Sequence, residues 1–122
     1  MALEFRFYEP SQAGDLIAWL SSEPWPFHGQ PNPSPEQVRS RIEGGDFEGE
    51  DVCTVWITRA EGERVGLLVI QELTDPTPIF DLRIRAAHRR KGVATSTLDW
   101  LARHLFERVG KHRVEGQLSY PG

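Results

Sequence analysis

Apolar and polar residues alternate from Leu3 to Tyr8, with Leu3, Phe5 and Phe7 on one face and Glu4, Arg6 and Tyr8 on the other. That period of two predicts a strand. Pro10 ends it, and Ser11 is placed to cap a helix whose apolar stripe is Ala13, Leu16, Ile17 and Leu20. Residues 23–35 hold five of the nine prolines and read as an irregular loop. The run Ser34-Pro35-Glu36-Gln37 has the form of a helix start, with Ser34 as cap, Pro35 at the first helical position and Gln37 closing a capping box. Gly44-Gly45 stops that helix early.

Two β-rich runs follow, Val52 to Thr58 and Arg64 to Gln71, joined by Ala60-Glu61-Gly62-Glu63, which predicts an antiparallel hairpin. The second run is apolar on both faces and so belongs in the middle of a sheet. Ile79 to Ile84 forms a further strand, with Phe80, Leu82 and Ile84 on one side and Asp81, Arg83 and Arg85 on the other. Residues 94–109 carry Leu98, Leu101, Ala102, Leu105 and Val109 at helical spacing, with Trp100 packing on the flank and Gly110 as the stop. A last short strand runs from Arg113 to Leu118. The predicted order is β-α-α-β-β-β-α-β in one domain spanning residues 1–122.

The chain has 122 residues, 39% of them apolar and 26% charged, the composition of a soluble globular domain. It has no apolar run near the roughly 20 residues that span a bilayer, and its N-terminus lacks the pattern of a secretory signal. The expectation is a cytoplasmic protein with no membrane partner. The single cysteine, Cys53, excludes an internal disulfide framework and reads as a core residue. His88, His104 and His112 lack metal-ligand spacing, so no metal is expected.

Charge is unevenly spread. Residues 1–82 have a net charge of −10, whereas residues 83–113, including Arg83, Arg85, Arg89, Arg90 and Lys91, have a net of +7. An anionic ligand is expected at one place, and the acidic remainder suits a cationic or amine partner. The acidic total and the lack of interleaved aromatics argue against nucleic acid. The anion site falls in Ile79 to Thr95, where a strand enters a basic, glycine-bearing turn that opens a helix. A helix N-terminus offers free N–H groups and the positive end of the dipole, Gly92 and Ala94 let a ligand approach the backbone, and Arg89, Arg90 and Lys91 add charge. The combination suits a pyrophosphate, although neither the phosphate-loop nor the dinucleotide glycine pattern is present.

The turn reads Arg89-x-x-Gly92-x-Ala94 and resembles the acyl-CoA motif [RQ]-x-x-G-x-[GA] of the GNAT superfamily of N-acetyltransferases. The element order and the Trp-Pro-Phe-His loop between the first two helices resemble that family too, especially members that acetylate ribosomal-protein N-termini and small amines. The resemblance covers residues 3–118. It implies an α/β fold of the α+β kind: a mixed, mostly antiparallel sheet flanked by helices, here without the family's last helix and two strands.

It also implies acetyl-CoA as co-substrate, held by the backbone from Arg90 through Lys91, Gly92, Val93 and Ala94 to Thr95, with Leu82, Arg83 and Ile84 pairing to the pantetheine arm. A bulge near Arg85 and Ala86 would splay the strand from the final one. An uncharged amine would attack the thioester directly, with Glu115 or Asp81 as base and Trp25, Phe27 and His28 touching the substrate. Tyr120 stands away from the motif position of the family's tyrosine acid and receives no role. The acceptor is a small-molecule or peptide amine. An open edge on the final strand invites a homodimer. Two other readings stand beside this one: a non-catalytic acyl-CoA-binding module, and a fragment active only when another chain completes it.

Overall fold

The computed structural model describes residues 2–25 and 32–107 in full, and the backbone alone of 108–109 and 115–118. Five strands form one sheet in the order β1-β2-β3-β4-β5, which is also the chain order: β1 Leu3–Phe7, β2 Val52–Arg59, β3 Arg64–Gln71, β4 Ile79–Ile84 and β5 Glu115–Leu118. The first four pair antiparallel and β5 joins β4 in parallel, giving the mixed, mostly antiparallel sheet expected from the sequence.

Three helices flank it: α1 Ala13–Leu20, α2 Pro35–Glu43 and α3 Val93–Arg103. Strand alternation sorts the core into two layers. Val55, Ile57, Leu68, Ile70, Phe80, Leu82 and Ile84 face α3 and pack on Val93, Ala94, Leu101 and Leu105. Trp56, Leu67 and Val69 face the other way, onto Leu16, Trp19 and Leu20 of α1, Val38 of α2, Trp25 and Phe47. β3 is therefore apolar on both faces because both faces are covered. Each fully buried leucine contributes about 2 kcal/mol by area.

The helix starts differ in how far local signals decided them. α2 begins as its sequence predicts: the Gln37 N–H donates to Ser34 Oγ at 3.2 Å and the Ser34 N–H to Gln37 Oε1 at 2.8 Å. Ser11 does not cap α1. A 3-10 turn over Pro10–Gln12 precedes the helix, and the Glu9 N–H donates to Gln12 Oε1 at 2.9 Å. That oxygen also accepts from Trp56 Nε1 at 3.0 Å, so a contact 44 residues away in sequence fixes the turn.

At its other end α3 is shorter than its apolar stripe, giving way to a π-helical stretch, His104–Val109. Trp100 packs as expected, stacked between Phe5 at 5.1 Å and His104 at 4.9 Å. No helix among the described residues is long and apolar enough to cross a membrane.

Candidate active site

The site grows from the end of β4. This strand keeps an unbroken register with β3 up to the pair Gly66–Ile84, and its described pairing with β5 runs from Ile79–Glu115 to Leu82–Leu118. Instead of a bulge near Arg85 and Ala86, the chain leaves the sheet after Ile84 and makes a 3-10 turn, Ala86–His88. Arg85 still donates its N–H to Val65 O at 2.9 Å, which holds the exit to the sheet.

Beyond that turn Arg90 and Gly92 both take positive φ, +61° and +83°. A side chain at residue 92 would be strained by that φ, while its Cβ would meet nothing within 4 Å. The glycine is thus demanded by backbone conformation, and the space in front of it is open. α3 starts immediately afterwards. The Gly92 carbonyl accepts the Ser96 N–H at 3.0 Å, but no side chain caps the helix. The N–H groups of Val93, Ala94 and Thr95 are left for an external acceptor, at the positive end of the dipole. Arg90 and Lys91 are exposed beside them, whereas the side chains of Val93 and Ala94 are buried in the α3 layer.

Arg89 does a different job from the one its charge suggests. Its Nε donates to the Ile84 carbonyl at 2.9 Å and its Nη2 lies 4.0 Å from Glu23. It fastens the turn to the strand. Glu23, which sequence reasoning missed, holds the same turn from the α1 side. It accepts the Ala86 N–H at 2.8 Å and lies 3.5 Å from Arg85 Nη1. Nothing in periodicity or spacing marks it, because its partners are more than 60 residues away.

On β4, Phe80, Leu82 and Ile84 point into the α3 layer. Arg83 lies on the opposite face, its guanidinium 5.8 Å from the centre of the Trp25 ring, and its Nε donates to Asp81 Oδ2 at 3.3 Å. Arg83 is 5% exposed. Burial is the main influence lowering its pKa; Asp81 opposes that and the Arg41 charge adds to it.

Trp25 is fully buried, stacked on Trp19 at 4.9 Å with its Nε1 donating to Leu20 O at 2.8 Å. Its place is the core wall beneath Arg83. Glu115 stands across from Ile79, at the end of β4 remote from the turn, while Asp81 is level with Gln117. Phe27, His28, His112 and Tyr120 lie outside the described residues. Among the described residues no cluster of His, Cys, Asp or Glu is disposed to hold a metal.

The profile of the acetyltransferase (GNAT) domain matches residues 2–119. No curated protein sequence matches the chain. Solved structures do share its fold. One is a chimera of the Vibrio cholerae spermidine N-acetyltransferase SpeG and hSSAT: 17% identity, TM-score 0.76, covering 93% of this chain and 69% of that one. The Vibrio cholerae spermidine N-acetyltransferase in complex with CoA and spermine has 16% identity and TM-score 0.70, over 92% of this chain and 68% of its own. A ribosomal-protein-alanine N-acetyltransferase from Brucella melitensis biovar Abortus has 18% identity and TM-score 0.70, over 96% and 81%.

Proposed function

The chain belongs to the GNAT acetyltransferases, and from that premise we propose that it transfers an acetyl group from acetyl-CoA to a primary amine, on a small molecule or a protein N-terminus. The observation that carries the reading is the uncapped start of α3 behind the left-handed Gly92, set at the end of an unbroken β4. The backbone N–H groups from Arg90 to Thr95 receive the pyrophosphate, Arg90 and Lys91 supply charge, and Arg89 with Glu23 keeps the turn in place. The backbone of Leu82, Arg83 and Ile84 pairs with the pantetheine amides, as an added strand would.

The chemistry is a direct transfer. The amine nitrogen, having lost its proton to a base, attacks the thioester carbonyl. A C–N bond forms, the C–S bond breaks, and the departing thiolate takes up a proton to leave free CoA and an amide. Asp81 and Glu115 are the two carboxylates for the base. Asp81 sits nearer the turn, one level from the last described β4–β5 pair. Trp25 serves the acceptor side by supporting Arg83, and Phe27 and His28 complete that side. The site works in a homodimer if a second copy pairs along β5, an edge of the sheet; a monomeric solution mass at every concentration refutes that part.

Calorimetric titration with acetyl-CoA tests the cofactor assignment. Saturable binding is expected, and Gly92→Glu, which forces a side chain into the left-handed conformation and adds a repelling charge, abolishes it. A folded Gly92→Glu chain with unchanged affinity overturns the pyrophosphate assignment.

A further inference from the structure

Arg83 is nine-tenths buried, yet its Nη1 has no hydrogen-bond partner among the described residues. Its Nε donates to Asp81, and the guanidinium lies over the Trp25 ring. A second cation, Arg41, is close enough to weaken its charge state further. Arg41 is itself occupied, with its Nε on Asp46 at 3.1 Å and its guanidinium 4.8 Å from the Phe47 ring centre. A buried guanidinium with an empty donor is costly to keep. A fold tolerates such an arrangement where a ligand completes it.

The position of the empty donor says which ligand. The cofactor's pyrophosphate belongs to the start of α3, and α3 packs on the Leu82–Ile84 face of β4. Arg83 projects from the other face, over Trp25 in the α1–α2 layer. A thioester reached from the α3 side leaves that other face to the acceptor. The pantetheine arm itself carries no anion for Arg83 to meet.

Building on the acetyltransferase reading, we infer that the acceptor is an amine that also carries a carboxylate, which Arg83 Nη1 receives on the face of β4 opposite α3. A guanidinium offers two N–H groups in a plane, which matches a carboxylate and rejects an ammonium. A polyamine would set a cation against Arg83 and Arg41. The acidic excess of residues 1–82 therefore does not decide the acceptor, because the donor left open on this face of β4 belongs to a cation, Arg83.

The test compares ligands that differ only in that charge, on the whole chain saturated with CoA. N-acetylglycine is titrated against N-acetylglycinamide, and N-acetyl-Ala-Glu-amide against N-acetyl-Ala-Gln-amide, with spermidine as the cationic probe. The first pair reads a small amino acid as the source of the carboxylate, the second an acidic side chain near a peptide N-terminus. The carboxylate member of one pair is expected to bind at least about 10-fold more tightly, and Arg83→Gln to erase that difference. Equal binding within both pairs, no binding by any carboxylate, or tighter binding of spermidine overturns the inference. The comparison in the unaltered chain stands even if Arg83→Gln fails to fold. The acetyl-CoA titration decides the acetyltransferase reading separately: a chain that binds acetyl-CoA but ignores the carboxylate keeps that reading and loses this one.

Discussion

Replacing Gly66 by alanine tests both the packing of the sheet and the strand proposed to carry the cofactor arm. Gly66 lies in β3 between Ile57 of β2 and Ile84 of β4. A Cβ at this position would stand 2.9 Å from Ile57 Cδ1 and 3.0 Å from the Arg83 carbonyl oxygen. Ile57 is fully buried, so its methyl group swings aside only by leaving its rotamer, at about 0.5–1.5 kcal/mol. The carbonyl belongs to backbone and yields only if β4 shifts. Overpacking of this kind costs about 1–3 kcal/mol. Alanine recovers roughly 0.4–1 kcal/mol by narrowing the unfolded ensemble.

The net expectation is a loss of about 1–2 kcal/mol, a fall in Tm of roughly 3–10 °C for a domain of this size. Urea unfolding followed by the fluorescence of the four tryptophans reads it as a lower midpoint with the same slope. Acetyl-CoA affinity should fall with it, since the displaced carbonyl is on the strand assigned to pantetheine. An unchanged or higher midpoint would refute the steric argument.

Three further outcomes follow from the same structure. Gly14 sits in α1 with nothing within 4 Å of a built Cβ, so Gly14→Ala should raise stability by about 0.5–1 kcal/mol in the same urea assay. Burial pushes the Cys53 thiol above its usual 9.0, so the native chain should react slowly with a disulfide reagent at pH 8 and quickly once unfolded. Because the raised pKa is in the folded state, its contribution to stability is fully present below the unfolded pKa. It is lost as pH rises toward the folded value, and urea midpoints measured across that range should lose this slope in Cys53→Ala.

What the sequence showed plainly was short in range. The hairpin, the Ser34 capping box and the two-faced β3 each depend on residues within a few positions of one another, and each formed, whereas the stripe of α3 formed only in its first part. The glycine turn that opens α3 was legible because Gly92 and the helix behind it are contiguous. The start of α1 was not, since Gln12 answers to Trp56 as well as to Glu9. Nor was the role of Arg89, whose charge marks it for an anion but whose Nε is claimed by Ile84. Trp25 stands in a proline-rich stretch that reads as an irregular loop, and its burial comes from a distant cluster in which Trp19 stacks on it and meets Trp56 edge-on. Glu23 carries no local signature at all, for its meaning comes from Ala86, Arg85 and Arg89.

β4, a strand of six residues, faces two different environments. Its alternation gives one face to the α3 core and the other to Asp81 and Arg83, while its backbone continues into the turn that opens α3. In the reading proposed above, cofactor and acceptor meet at this one strand from opposite sides. Net charge averaged over the chain is blind to that division. The excess of acidic residues lies largely in water, where a pair of charges 4 Å apart is worth about 1 kcal/mol. The buried Arg83 acts at lower effective dielectric, where the same separation is worth several times more. Acceptor choice should therefore follow this one guanidinium, and a polyamine, favoured by the overall charge, should be disfavoured at the strand itself.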